Sequence, residues 1–251
     1  MNIKTIKILQ SLRLAKYRKL HNKFLVEGKR MVKTAFQYNQ TLSNVYCTKK
    51  FFIKNRDWIV IKKIDDSFID IISENDFKKI SNTVTPSGIC AICSIPKTEE
   101  IDTKNNKWIY LDNINNPGNL GTILRSASWF GLKHIAISPN SVDIYNPKVI
   151  RSAMGSQFHL KIYQNIELDE FKKTHTILSS SINGENIEKL KFPKKFVLVF
   201  SNEAHGLSSK RKKLINYHIS IKKLGNGESL NVSTAASVVL YIATRCFTTK
   251  S

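Results

Sequence analysis

Apolar residues along this chain follow two spacings that take turns. From Ile3 onward they recur at helical intervals among lysines, at Ile3, Ile6, Leu9, Leu12 and Leu14, and a second basic amphipathic stretch runs over 29–38. Between these helices the short run Phe24-Leu25-Val26 predicts a strand, and Gly28 permits the turn that follows. Further strands are predicted at 42–48, 58–62 and 89–95. A helix is predicted over 73–80, capped by Ser73 with Asp76 at its third position. Helices alternating with strands make residues 1–96 a small α/β unit. Residues 97–107 are polar, charged and aperiodic, and predict a linker.

From 108 to 251 a second α/β series begins. Strands are expected at 108–111, 134–137, 159–163, 176–180, 196–200 and 218–222. Helices are expected at 118–130, ended by Gly131, and at 147–155. A last helix, capped by Asn231 or Ser233, carries Ala235, Val238, Val239, Ile242 and Ala243 on one face. Such alternation favours a mostly parallel sheet, whose ligands lie at the carboxyl ends of its strands.

Three of those strand ends open into loops with chemical potential. The first runs from Leu111 to Arg125, where Pro117 and Gly118 shape the turn and Asn119 is expected to begin the helix. Arg125 follows within two helical turns, so both could face one loop mouth. An arginine fork suits phosphate, though a surface arginine on a helix is an equal reading. In the second loop a strand empties into Ser201, Asn202 and Glu203, and Gly206 allows the return. Glu203 could act chemically or support a following helix; His205 reads as a base or as a solvated loop residue. The third loop, Leu224-Gly-Asn-Gly-Glu-Ser-Leu-Asn231, is polar and punctuated by glycine, and feeds straight into the last helix.

Composition sharpens this outline. The 251 residues carry a formal net charge of +21, with 40 Lys and Arg against 19 Asp and Glu, which points to an anionic partner such as nucleic acid. The first fifty residues hold the densest excess, with Glu27 as their single acid. Arg13, Lys16, Arg18, Lys19, Lys23, Lys29 and Arg30 are therefore the candidate RNA contacts. The 41% apolar content fits a globular core. No run approaches a membrane span and no secretory pattern opens the chain, so no membrane role and a cytoplasmic location are expected. Cys90 and Cys93 have CxxC spacing but sit in an apolar strand with no second ligand pair, so a metal is not expected. A dinucleotide fold is set aside because no GxGxxG follows the first strand of either series.

The three loops in this order resemble the SpoU family of RNA ribose 2′-O-methyltransferases, of the SPOUT class. Asn115–Ala127 (NNPGNLGTILRSA), Phe200–Ser208 (FSNEAHGLS) and Ile219–Tyr241 carry the likeness. Residues 24–36 and 85–92 are similar to the substrate-binding domain often attached to such enzymes. The resemblance implies a parallel-sheet domain with a deep trefoil knot, binding S-adenosylmethionine. It implies cofactor contacts at Ser201, Ile221 and Leu230, with Asn202, Gly206 and Gly225 shaping the loops. It implies catalytic roles for Arg125, Asn119, Glu203, Ser229 and Asn231, a homodimer, and RNA, ribosomal rather than transfer, as substrate. Three positions depart from the family pattern: Ser201 and Ala204 stand where glycine is usual, and Lys222-Lys223 where Pro-Met is usual. The alternatives are a transfer-RNA ribose methyltransferase and a protein that retains the fold and binds RNA without catalysis.

Overall fold

The computed structural model describes residues 1–38, 40–61, 68–97, 99–202 and 206–248, and the chain divides into two compact units. The first comprises 1–97 together with 145–158. Its elements begin with α1 (Ile3–Ser11), α2 (Ala15–His21), β1 (Lys23–Glu27), α3 (Lys29–Gln37) and β2 (Leu42–Thr48). They continue with α4 (Lys49–Lys54), α5 (Arg56–Ile61), β3 (Ile69–Ile72), α6 (Glu74–Ile80) and β4 (Ile89–Ser94). The sheet order is β1-β4-β2-β3, antiparallel except for the β2–β3 pair.

Strand periodicity explains this unit's two cores. Successive side chains point to opposite faces. Phe24, Val26, Cys47, Ala91 and Cys93 therefore pack on one side with Met31, Val32 and Ala35 of α3. Leu25, Tyr46, Cys90 and Ile92 pack on the other with Ile6, Leu9, Phe77 and Ile80. Cys90 and Cys93, three residues apart, thus face opposite layers and could not share a metal. Burial pushes the thiols of Cys47 up to about 11 and Cys93 up to about 12, and raises that of Cys90 further still.

Two expectations fail here. Residues 58–61 belong to a helix, not a strand; a short apolar run does not discriminate between the two. Trp58 packs edge-on to Phe51, 6.3 Å between ring centroids, while Ile69–Ile72 supplies the strand that pairs with β2. Arg18 is 2% exposed, and its Nη1 donates to the carbonyls of Leu12 and Arg13, both at 2.8 Å. It closes the α1–α2 corner and is not a surface contact for RNA. Arg13 is tied by Nη2 to the carbonyls of Lys79 at 2.8 Å and Ser81 at 2.7 Å.

The second unit comprises 98–144 and 159–251. It contains β5 (Lys107–Asp112), α7 (Pro117–Trp129) and β6 (His134–Ile137). The chain then forms α8 (Pro147–Ala153), which packs with the first unit, where Ile150 is buried and Tyr145 lies 4.7 Å from Phe24, ring to ring. A boundary drawn only at 97–107 misses this insertion. After it come β7 (Lys161–Gln164), β8 (Thr176–Asn186), β9 (Phe196–Ser201), α9 (Ser209–Lys212), β10 (Tyr217–Ser220) and α10 (Val232–Thr248). All strands are parallel, in the order β10-β8-β9-β5-β6-β7. Chain order reverses between β5 and β9, where Asp112 pairs with Ser201, and such a reversal opens a crevice at the carboxyl ends. No helix among the described residues is long and apolar enough to cross a membrane.

The eleven-residue β8 runs well past the expected 176–180. Its pairing with β10 jumps from Ser179–His218 to Glu185–Ile219, so residues 180–184 bow out. Gly184 closes that bow against bare backbone. A Cβ there would lie 2.5 Å from the Ile219 carbonyl carbon and 2.6 Å from that of His218. Ser220 Oγ donates to the Gly184 carbonyl at 2.8 Å.

Candidate active site

A cavity of about 660 Å³ opens in the second unit beside the strand reversal. It lies within the roughly 300–1,000 Å³ typical of small-molecule sites. Its walls come from three separate stretches. The end of β9 contributes Phe200, Ser201, Asn202, Gly206 and Leu207. The bow in β8 contributes Ser179 to Ile182, and the segment after β10 contributes 220–230. Ser201, Asn202, Gly206, Ile221, Gly225 and Leu230, the residues expected to hold a cofactor, all line this one cavity, as does Ser229.

The polar residues of the first loop assemble beside the last helix instead. Asn116, not Asn119, caps α7; its Oδ1 accepts from the backbone N–H of Gly118 at 2.8 Å and of Asn119 at 3.3 Å. Pro117 at the first helical position fits because its missing N–H would have been unpaired there. Asn119 is thereby placed inside the first turn, where its Oδ1 accepts from Asn231 Nδ2 at 3.1 Å. Asn231 Oδ1 in turn accepts from Ser233 N at 2.9 Å and Ser233 Oγ at 2.6 Å, capping α10. The two helices also meet at Ser126 and Ser237, 2.7 Å between hydroxyls.

Arg125 stands on the exposed side of α7 and does not line the cavity. Its guanidinium forms no hydrogen bond or ion pair with another described residue. Six residues turn a helix through about 600°, so Arg125 sits roughly a third of a turn away from Asn119 rather than beside it. Glu203, with Ala204 and His205, lies outside the described residues. Among the described residues no cluster of three His, Cys, Asp or Glu could hold a metal.

No local pattern signals the 180–182 wall, since the bow depends on the shifted pairing of β8 with the distant β10. Lys212 of α9, Lys222 and Lys223 also line the cavity, and they give its rim a positive character.

The molecule is thus an α/β protein with a small-ligand cavity at the reversal of a parallel sheet. Residues 106–241, more than half of the chain, match the SpoU rRNA Methylase family, and residues 4–91 match the MRM3-like substrate binding domain. The protein belongs to the SpoU rRNA methylase family. It is 28% identical over 252 residues to the 23S rRNA (guanosine(2553)-2'-O)-methyltransferase RlmP of Bacillus subtilis (strain 168), covering 95% of this chain and 98% of that one. Among solved structures, the SpoU methyltransferase AviRb from Streptomyces viridochromogenes, in complex with AdoMet, superposes with a TM-score of 0.87 over 100% of both chains at 21% identity. A second, described as RNA 2'-O ribose methyltransferase, gives 0.84 at 25% identity, over 98% of this chain and 97% of that one.

Proposed function

We propose that this protein transfers a methyl group from S-adenosylmethionine to a ribose 2′-hydroxyl of ribosomal RNA. The observation that carries this reading is the convergence on one cavity of six residues drawn from two separate loops. The cavity's chemistry fits the cofactor. Phe200, Leu207, Ile182 and Val232 offer an apolar surface for a purine, and Ser179, Ser201 and Asn202 offer polar groups for a ribose and an amino-acid tail. When bound, S-adenosylmethionine supplies an electrophilic methyl group, and no metal is required.

The chain's own residues then have separable tasks. Ser201, Ile221 and Leu230 hold the cofactor, while Asn202, Gly206 and Gly225 shape the loops around it. The Asn119–Asn231 pair fixes the mouth of the site by joining the starts of α7 and α10. Ser229 and Glu203 position the target ribose. Arg125 binds the neighbouring phosphate and stabilises negative charge as the 2′-hydroxyl gives up its proton to solvent water. An arginine keeps its own proton at working pH, so it serves as a charge and a fork of donors rather than as a base.

In this reading Arg125 acts in a homodimer, where one protomer's arginine reaches the other's cavity. Trp129 at 85% exposure and Tyr241 at 48%, on α7 and α10, support an apolar face for that contact. The deep trefoil knot belongs to the same reading. So does RNA binding by residues 1–96 through Lys16, Lys19, Lys23, Lys29 and Arg30, with Arg13 adding charge at the surface.

Calorimetric titration with S-adenosylmethionine and S-adenosylhomocysteine, followed by tritiated methyl transfer to ribosomal and transfer RNA, tests the proposal. One ligand per protomer and label in ribosomal RNA support it. A folded protein that binds neither ligand, with or without RNA, sinks it and leaves an RNA-binding role.

A further inference from the structure

Asp112, the last residue of β5, is completely buried. A buried carboxylate is costly unless a cation partners it. Its Oδ1 accepts from Arg211 Nη1 at 2.7 Å, while Oδ2 has no hydrogen-bond partner among the described residues. The same guanidinium donates through Nη2 to Glu167 Oε2 at 2.9 Å. Arg211 lies in α9, just beyond the β9 loop that walls the cavity, and Glu167 lies just beyond β7. One guanidinium therefore ties together the exits of three strands.

The near end of that loop is bound to the same place. Asn202 N donates to the Asp112 carbonyl at 3.1 Å, and Asn202 Nδ2 to that of Asn113 at 3.4 Å. Gly206 N returns to the Asn202 carbonyl at 2.9 Å. Asn202, Gly206 and Leu207 line the cavity, whereas Asp112 and Arg211 do not. The loop is thus pinned at both ends to Asp112, by backbone at one end and by an ion pair at the other.

We propose that Asp112 and Arg211 are positioning residues, whose ion pair sets cofactor affinity by holding Asn202, Gly206 and Leu207 in place while neither touches cofactor nor ribose. The proposal rests on the cofactor reading above. The charged and titratable groups facing Asp112 are Arg211, Glu167 and Tyr110, with Asp169 next beyond Tyr110. Burial raises the Asp112 carboxyl, Arg211 and then the Ser138 hydroxyl hold it down, and Glu167 adds to the rise. Without Arg211 the carboxylate keeps the acidic Glu167 nearby and loses its cation. It then takes up a proton at a higher pH than in the native protein, and the loop is displaced only where Asp112 is charged. The sign follows: the defect grows as pH rises through that raised value and shrinks on acidification.

The test is calorimetric titration with S-adenosylhomocysteine of the native protein, Arg211→Met, Arg211→Lys and the double variant Asp112→Asn/Arg211→Met, between about pH 5.5 and about pH 8.5. Thermal melts run alongside. Arg211→Met is expected to bind about tenfold or more weakly at the alkaline end and to recover on acidification. The double variant, with no charge left to strand, is expected within about threefold of native at both ends. If Arg211→Met does not fold, Arg211→Lys still decides: its single ammonium cannot hold both Asp112 and Glu167, so binding about threefold or more weaker than in the double variant is expected at the alkaline end, and native affinity at every pH removes the pair from any role. Native binding by Arg211→Met throughout, or an equal loss at every pH not relieved by Asp112→Asn, overturns the proposal. A native protein that binds no ligand removes the cofactor reading, and this proposal with it.

Discussion

The segment leaving β5 and the segment leaving β10 end strands of the same sheet, and they are built on opposite plans. In the first, Asn113 N donates to Ser138 Oγ at 2.8 Å and Ile114 N to Ser141 Oγ at 3.2 Å, while the Ile114 carbonyl accepts from Val142 N at 2.9 Å. Asp112 and Ile114 are buried, and Asn116 caps the helix that follows. In the second, residues 222–230 are all exposed, and none forms a hydrogen bond with another described residue. A segment bonded at successive residues has met its ordering cost within the fold. A segment without such bonds meets it when a ligand or partner arrives, and binding is weaker by that amount. The first plan suits a fixed template for Asn119 and Arg125; the second suits a wall that closes over something.

The largest effect should separate chemistry from binding. Arg125→Ala leaves the cavity untouched, so S-adenosylhomocysteine affinity should stay native while methyl transfer falls by about a hundredfold to a thousandfold. A parallel loss of affinity would place Arg125 in the wall instead. Next is Gly184→Ala, which forces a side chain onto the β10 backbone and moves the walls on both sides of it. Affinity should drop by about tenfold or more, with a melting temperature several degrees lower, as overpacking against backbone costs about 1–3 kcal/mol. Unchanged affinity would show that the bow in β8 is not tied to the cavity.

Hydrogen exchange then reads the contrast directly. The amides of 222–230 should exchange rapidly alone and slow by about tenfold or more with saturating S-adenosylhomocysteine, while those of Asn113 and Ile114 stay protected throughout. Equal protection of both segments without ligand would break the comparison. The smallest effect is Asn116→Ala, which removes the α7 cap and should cost about 1 kcal/mol of stability in denaturant melts. Its effect on affinity should be slight, because the loop keeps its other bonds.

Much of this was legible from local pattern. The strands at Leu42–Thr48 and His134–Ile137, the Ser73 cap and the three loops could be read because each rests on neighbours in sequence. The misses arose where tertiary contacts decide, some with near neighbours and some with distant partners. Trp58 lies in a helix through its packing against Phe51, and Arg18 turns inward because the α1–α2 corner leaves carbonyls to be satisfied. Gly184 looks like any loop glycine until β10 is laid beside it. The Asp112–Arg211 pair spans 99 positions, beyond what any local pattern encodes.

The 145–158 insertion has a bearing on how such a protein could be cut or recombined. The chain passes from one unit to the other three times, after 97, after 144 and after 158. A gene fragment ending in the polar 97–107 stretch would encode the first unit without Ile150, Tyr145 and Phe158, so Phe24 would lose its aromatic neighbours to solvent. The complementary fragment would carry those three side chains with nothing to cover them. The two units are therefore not interchangeable cassettes. A graft that transplants the N-terminal unit onto another catalytic domain must take residues 145–158 with it, although they are encoded inside the sequence of the other unit.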